Sequence, residues 1–291
     1  MNKTFPQWIN ELIPCNLKSD FSQTSFGKIH YLSGGEGQSV LFLHGNPTWS
    51  FIWRKIIAKL DLSKFQVHAP DLLNLGFSDG LTSENLTLEN QAQALVEFVN
   101  LHKLDNITLV VQDWGGPIGL FMSSLIQEKI SKLVILNTGL SAPKPPYKVS
   151  SFHSFVHKKI IPDILFKICR YPMYSLGKIQ FDKESISGDV AKAYRYPIAQ
   201  KKRWAAALSF ARMVPNGPEH PSFSGFEQIE KFCSSFTKPV KVVWGTKDPI
   251  LGRGLKRIKN IFPHAIVKEV EAGHFLQEEC PDDIANAIIT I

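Results

Sequence analysis

The sequence predicts an α/β fold in which a mostly parallel central sheet is flanked by helices and carries an inserted helical cap. Three observations favour this class. Short apolar runs rich in β-branched residues alternate with segments of helical periodicity, one long stretch interrupts this alternation, and polar residues follow several of the apolar runs. Strands that alternate with helices form parallel sheets covered on both faces. A chain of 291 residues can hold one such domain with an insertion.

The first half of the chain supplies most of the predicted strands. Strands are predicted at 28–33, 39–44, 65–70, 107–111 and 132–137. Helices are expected between them because apolar side chains recur at helical spacing over 48–60, 87–101 and 118–126. A glycine-rich turn at 34–37 separates the first two strands.

The strand pattern stops at Gly139 and resumes at Pro239. We interpret residues 139–217, which are helix-like and interrupted by prolines, as a cap inserted into a core formed by 1–138 and 218–291. The core continues with a strand at 239–245, a helix near 252–262, a strand at 265–270 and a closing helix from about 277.

Asp113 lies in the turn between a predicted strand and a predicted helix. Gly115 and Gly116 remove side chains where this turn packs closely, and Pro117 suits the first turn of a helix. This is the layout of a nucleophile elbow. A carboxylate there suits displacement of a leaving group from saturated carbon, which gives an alkyl ester that water cleaves. The structural alternative is an aspartate that caps the following helix.

Asp248 and His274 follow later predicted strands, so the chain order is nucleophile, acid, histidine. Because ligands of parallel sheets bind outside the carboxyl ends of the strands, we expect these side chains to meet Asp113. His274 would take a proton from the attacking water, and Asp248 would hold the imidazole and stabilise its cation. A structural histidine and an ordinary Asp-Pro turn are the alternatives.

Asn46 and Trp114 offer side-chain N–H donors beside this predicted site. A departing halide needs donors but no proton, so both side chains are candidate halide ligands. Their backbone N–H groups would form the oxyanion hole of the hydrolysis step. Otherwise Asn46 has a turn role and Trp114 packs in the core.

Three motifs carry a family resemblance: HGNPTWS at 44–50, VQDWGG at 111–116 and AGHFLQE at 272–278. They are similar to motifs of the haloalkane dehalogenases within the α/β-hydrolase superfamily, and the resemblance spans roughly 25–290. It implies Asp113 as nucleophile, His274 as base, and Asn46 with Trp114 as halide ligands. It also implies an apolar cavity between cap and sheet, with no metal and no organic cofactor.

The sequence departs from the family pattern at two places. Some members carry the acid as a glutamate after the strand that precedes the cap, but Asn137 and Thr138 stand there, so Asp248 is the better candidate. Asn74 occupies a position where relatives usually have glycine. Asparagine tolerates left-handed backbone geometry, so little consequence is expected.

Three alternative functions remain open. Epoxide opening needs an acid, so Tyr194 or Tyr196 would have to reach the cleft, and Asn46 argues against it because related epoxide hydrolases generally lack that asparagine. Decarboxylation of a β-lactone would use the same residues, and the sequence does not separate it from dehalogenation. A hydrolase fold can also survive as a non-catalytic ligand-binding protein.

The composition of the chain excludes several classes of binding partner. The net charge of +7 comes from 33 basic and 26 acidic residues in short, scattered groups, so no nucleic acid is expected. The four cysteines are scattered, and His153 and His157 flank a serine where a zinc-binding helix has glutamate, so no metal site is expected. No signal-peptide core and no run of about 18 apolar residues is present, which predicts a cytoplasmic protein without a membrane partner.

The expected partners are a small apolar substrate and a halide ion, with the protein a monomer or a weak homo-oligomer. Aromatic side chains of the cap pack its helical layer, and some of them should line the cavity. The candidates are Phe152, Phe155, Phe166, Tyr171, Tyr174 and Trp204, with the same ambiguity for Phe210 and Met213.

Overall fold

The computed structural model describes residues 5–82, 84–147 and 151–291, and its centre is a sheet of eight strands. The strands are β1 (Lys18–Thr24), β2 (Gly27–Gly34), β3 (Gln38–Leu43), β4 (Phe65–Pro70), β5 (Ile107–Val111), β6 (Ile130–Ile135), β7 (Val240–Gly245) and β8 (Ile266–Val270). Their order across the sheet is β1-β2-β4-β3-β5-β6-β7-β8. β1 pairs with β2 and β2 with β4 in antiparallel fashion, and the other neighbours are parallel. The predicted mostly parallel sheet is confirmed.

The helices of the described residues flank this sheet or lie in the segment between β6 and β7. They are α1 (Gln7–Asn10), α2 (Arg54–Ile57), α3 (Leu88–Leu101), α4 (Gly115–Leu125), α5 (Ser151–Val156), α6 (Ile161–Lys167), α7 (Gly188–Gln200), α8 (Ala206–Arg212), α9 (Phe223–Ser235), α10 (Leu255–Ile261), α11 (Leu276–Glu279) and α12 (Pro281–Ile289). None of them is long and apolar enough to cross a membrane. Helices cover both faces of β5, so all five of its residues are buried.

The predicted helix over 48–60 is wrong in length. A 3₁₀ turn occupies Ser50–Trp53, and α2 adds only Arg54–Ile57. Asp71 holds this segment because its Oδ1 accepts the backbone N–H of Ser50 at 2.7 Å. Phe51, Ile52 and Trp53 are buried, so their apolar spacing reflects burial rather than a long helix.

The other boundaries differ by smaller amounts. The closing segment is divided into α11 and α12, because Pro281 has no N–H with which to continue α11. β6 begins two residues before the predicted strand at 132–137. The predicted helix over 87–101 corresponds to α3, whose first turn is capped by the Thr87 side chain accepting the N–H of Asn90 at 3.1 Å. Asn74 has φ of +73°, the left-handed geometry that the sequence allows.

The segment between β6 and β7 contains helices and no strand among its described residues. It has its own small hydrophobic cluster, separate from the main core, formed by Val156, Phe166, Ala207, Leu208 and Ala211. α9 instead packs against α4 in the helical layer beside the sheet. The division into a core and a cap at 139–217 stays a prediction with which these contacts agree.

Candidate active site

Asp113 lies at the tip of the sharp turn between β5 and α4. Its φ is +47°, a left-handed conformation that is uncommon outside glycine. Its backbone N–H donates to the carbonyl of Asn137 at 2.8 Å, and its own carbonyl accepts the Thr138 hydroxyl at 2.7 Å. A Cβ on Gly115 would lie 2.0 Å from the Leu43 carbonyl oxygen. The turn therefore needs glycine at position 115, two residues after Asp113, and hydrogen bonds fix its strained geometry.

Asp113, His274 and Asp248 meet at the carboxyl ends of their strands. His274 Nδ1 lies 3.0 Å from Asp248 Oδ2, and its Nε2 lies 3.7 Å from Asp113 Oδ2. The side chains of His274 and Asp248 are 2% and 0% exposed, whereas Asp113 retains 16%. The three residues predicted from the sequence thus form a row with His274 in the middle. Asp113, at one end of this row, is the carboxylate that a ligand can reach.

Burial and charge shift the pKa values within this row in different directions. Burial raises the pKa of Asp113, although His274 and the backbone N–H groups of Trp114 and Asn46 oppose the shift. Burial alone would lower the pKa of His274, but the hydrogen bond and charge of Asp248 and the charge of Asp113 outweigh it, so that pKa is raised. Burial alone would raise the pKa of Asp248, but its hydrogen bond to His274 helps to lower it. The arrangement favours a charged Asp248 and makes His274 more basic than a free imidazole.

One oxygen of Asp113 is held by the loop that follows β3. The backbone N–H of Asn46 donates to Asp113 Oδ1 at 2.7 Å. The loop approaches so closely that a Cβ on Gly45 would lie 2.3 Å from the Asp113 Cβ. Buried His44 supports the loop, because its Nδ1 donates to the Gly45 carbonyl and its Nε2 accepts the N–H of Leu72, both at 2.9 Å. Burial lowers the pKa of His44, which suits this neutral bonding pattern.

The side chains of Asn46 and Trp114 both line the cavity above Asp113. Asn46 Nδ2 donates to the Ala207 carbonyl in α8 at 3.0 Å, which leaves its second N–H for a ligand. The Trp114 ring makes edge contacts with Phe210 and Phe226, at centroid distances of 5.8 and 6.3 Å. These contacts pack the indole ring, and both predicted donor residues line the same cavity as Asp113.

The cavity has a volume of about 1050 Å³ and reaches from Asp113 and His274 to the surface. Of the eight cap residues left open by the sequence, Phe152, Phe166 and Tyr171 line it. Neither tyrosine proposed as an acid for epoxide opening does so. The Tyr194 hydroxyl donates to Glu278 Oε1 at 2.5 Å, and that of Tyr196 accepts from Gln200 Nε2 at 2.7 Å. Neither tyrosine therefore reaches the cleft, as epoxide opening would require.

Asn137 is a site residue that the sequence reasoning missed. Its Nδ2 donates to Asp248 Oδ2 and to the Gly245 carbonyl, each at 2.9 Å, while its Oδ1 accepts the Gly245 N–H at 2.7 Å. The amide is unsuitable as the acid, but it holds the residue that takes this role. The only sequence signal was its position at the end of the strand before the cap.

Across the described ranges, no group of three or more histidine, cysteine, aspartate or glutamate side chains is arranged to hold a metal ion. The rings of His157 and His220 lie 6.0 Å apart, in edge contact. The cysteines are free thiols, of which Cys233 is fully buried and Cys15 and Cys169 are exposed.

The chain is similar to known proteins in both sequence and fold. A family model described as alpha/beta hydrolase fold matches residues 38–281. The cis-3-alkyl-4-alkyloxetan-2-one decarboxylase of Shewanella oneidensis is 30% identical over 96% of this chain and 89% of its own length. Haloalkane dehalogenase 2 of Mycobacterium tuberculosis is 30% identical over 94% of each chain. The crystal structure of haloalkane dehalogenase DatA from Agrobacterium tumefaciens superposes with a TM-score of 0.83 at 22% identity, over 96% of this chain and 97% of that one, which is a likeness of fold.

Proposed function

The chain belongs to the haloalkane dehalogenase family of α/β-hydrolases, and from this premise we propose that it hydrolyses carbon–halogen bonds of haloalkanes to an alcohol and a halide ion. The observation that carries the proposal is the asymmetry of the Asp113 carboxylate. Its Oδ1 is held by the N–H of Asn46 at 2.7 Å, whereas its Oδ2 lies 3.7 Å from His274 Nε2, and Asp113 and His274 both line the cavity. One oxygen is therefore fixed and the other is free to attack.

In the first step, Asp113 Oδ2 attacks the carbon that carries the halogen. The carbon–oxygen bond forms as the carbon–halogen bond breaks, and the halide leaves with the bonding electrons. The side-chain N–H groups of Asn46 and Trp114 stabilise the anion, which needs donors and no proton. The product is an alkyl ester on Asp113.

In the second step, His274 Nε2 removes a proton from a water molecule, whose oxygen attacks the ester carbonyl carbon. Asp248 stabilises the resulting imidazolium through its contact with Nδ1 at 3.0 Å. Negative charge develops on Oδ1, to which the backbone N–H of Asn46 already donates, and the backbone N–H of Trp114 also hydrogen-bonds to the Asp113 carboxylate. When the tetrahedral intermediate collapses, the alcohol departs with the proton from His274 and leaves a carboxyl group on Asp113. This carboxyl group loses the second proton of the water molecule to solvent, which restores the Asp113 carboxylate.

A halide-release assay on 1-bromobutane tests the proposal. The wild type should release one halide per alcohol, and Asp113→Asn should release none above background because the amide keeps the size of the side chain and removes its nucleophilic charge. Asp189→Asn, at an exposed carboxylate on α7, is the matched control and should retain full activity. Halide release by Asp113→Asn at the wild-type rate would overturn the proposal.

Decarboxylation of a β-lactone is the second candidate, because a decarboxylase of 3,4-dialkyl oxetanones is among the 30%-identical relatives. The two reactions differ in their products. A long-chain cis-β-lactone would lose carbon dioxide and leave an alkene, whereas a haloalkane gives alcohol and halide. Supplying both substrates to one enzyme preparation, and comparing the second-order rate constants, decides between them.

The proposal includes two expectations from the sequence that concern the whole protein. It is a cytoplasmic enzyme, and it is a monomer or a weak homo-oligomer. Fractionation of the cells that make it and sedimentation equilibrium of the purified protein measure these properties directly.

A further inference from the structure

The second helix of the cap exposes an apolar face to solvent. Ile161, Ile164 and Ile168 are 61%, 47% and 71% exposed, and their spacing of three and four residues puts them on one side of α6. Ile160, which precedes the helix, is 71% exposed. The outward face of a surface helix is normally polar, so four adjacent exposed isoleucines form a patch that needs a partner. We call these four residues the α6 patch.

The opposite face of α6 belongs to the cavity. Phe166 is buried on that side and lines the cavity together with Phe152 and Tyr171. Phe152 and Tyr171 are also 43% and 38% exposed, so the cavity reaches solvent beside the α6 patch. An apolar molecule that leaves a layer in contact with the patch would meet the cavity directly.

Basic residues lie beside the α6 patch and along the cavity. Lys158 and Lys159 immediately precede it, are exposed and make no ion pair within the described part of the chain. The acid of the helix, Asp163, is already paired with Lys167 at 3.0 Å and with Arg212 at 2.9 Å. α10 and the turn before it add three exposed basic residues that line the cavity: Arg253, Lys256 and Arg257.

We propose that the α6 patch docks on the surface of an anionic lipid bilayer, with the cavity opening turned toward the membrane interface. Apolar side chains flanked by lysine and arginine are the pattern of interfacial membrane binding, in which apolar groups enter the acyl boundary and cations contact anionic headgroups. A second copy of the chain fits the patch less well, because pairing two copies would bring the same cations together. Surface docking needs no membrane-spanning helix, so the proposal replaces the expectation of no membrane partner, which considered only spanning segments and signal peptides.

The backbone at Ile160 permits a variant whose failure to bind cannot be attributed to unfolding. Ile160 has φ of +72°, which β-branched residues rarely adopt. Ile160→Gly removes an exposed apolar side chain and relieves this conformation. Its thermal unfolding midpoint should be no lower than that of the wild type, while its membrane binding should weaken.

Flotation with lipid vesicles tests the proposal on the full chain. The wild type should float with vesicles of equal parts phosphatidylglycerol and phosphatidylcholine, stay largely free with phosphatidylcholine alone, and bind less as salt screens the charges. The double variant Ile161→Ser with Ile168→Ser should bind at least about tenfold more weakly. Lys158→Gln and Lys159→Gln should each cost about fivefold.

Two control proteins make the result specific. Leu101→Ser removes an apolar side chain that is 55% exposed at the end of α3, away from the cap, and should bind like the wild type. Asp113→Asn should also bind normally, so failure of the proposed chemistry and failure of docking are distinguishable. Wild-type protein that does not bind the anionic vesicles, or that binds neutral ones equally well, would overturn the proposal. So would self-association by sedimentation that the isoleucine variants abolish, because it would assign the patch to a second copy.

Discussion

Replacing Asn137 by alanine should slow the hydrolysis of the ester and leave its formation nearly intact. The substitution removes both donors that Nδ2 supplies, to Asp248 Oδ2 and to the Gly245 carbonyl, and the acceptor of the Gly245 N–H. Asp248 then loses a hydrogen bond from its ionised form, and a bond of this kind contributes about 1.5–3 kcal/mol. If about half of that is lost from the stabilisation of the His274 cation, the rate of ester hydrolysis falls by roughly 4–13-fold.

The formation of the ester involves neither His274 nor Asp248, so its rate should change by less than about twofold. Single-turnover measurements with 1-bromobutane separate the two steps. A burst of halide should appear at the wild-type rate and be followed by a slower steady state. The free energy of unfolding should fall by about 2–4 kcal/mol, because the N–H and carbonyl of Gly245 are left buried without these partners.

The control for this prediction is Ser123→Ala. Ser123 is buried in α4, where its hydroxyl donates to the Gly119 carbonyl at 2.7 Å and contacts no site residue. It should lose about 1 kcal/mol of stability with unchanged kinetics. If Asn137→Ala slows the burst and the steady state equally, or slows neither, the reasoning that Asn137 acts through Asp248 is refuted.

Three further perturbations follow from the same contacts. Steady-state turnover should fall as pH drops through the pKa of His274, because the protonated imidazole accepts no proton from water. The hydrogen bond and charge of Asp248, which persist when Asp113 is an ester, raise this pKa and should move the acid limb of the pH–rate profile upward. Trp114→Phe keeps an aromatic ring and removes the indole N–H, so halide formation in the burst should slow by about 10–100-fold, given a loss of roughly 1.5–3 kcal/mol for one donor to an anion. An unchanged burst would exclude this halide contact. Tyr194→Phe removes the hydroxyl that donates to buried Glu278, and chemical denaturation should show a loss of about 1–3 kcal/mol with normal halide release.

Much of the site could be predicted because its residues follow strands. Asp113, Asp248 and His274 each follow an apolar run that reads as a strand, and parallel strands deliver such residues to one edge of the sheet. The need for glycine in the elbow could also be predicted from the local sequence. In the structure, the neighbouring atoms leave no room for a Cβ on Gly115 or Gly116. Local pattern and chain order sufficed for these residues.

Contacts between residues far apart in the chain could not be predicted from the sequence. Asn137 lies 111 residues before Asp248, and Asn46 lies 161 residues before the Ala207 carbonyl that orients it. Which cap aromatics line the cavity depends on how the helices of 139–217 turn against the sheet, and periodicity carries no information on this. The helix predicted at 48–60 was too long because it also depended on tertiary packing. Phe51, Ile52 and Trp53 are all buried, and the sequence pattern does not distinguish such a buried turn from the apolar face of a helix.

Trapping the ester on Asp113 tests the central claim most directly. In His274→Ala, ester formation persists while the base that activates water is gone. Incubation with 1-bromobutane followed by peptide mass spectrometry should therefore show one butyl group on Asp113, together with one equivalent of released halide. Release of halide without any butylated peptide, or a butyl group on a different residue, would contradict the account.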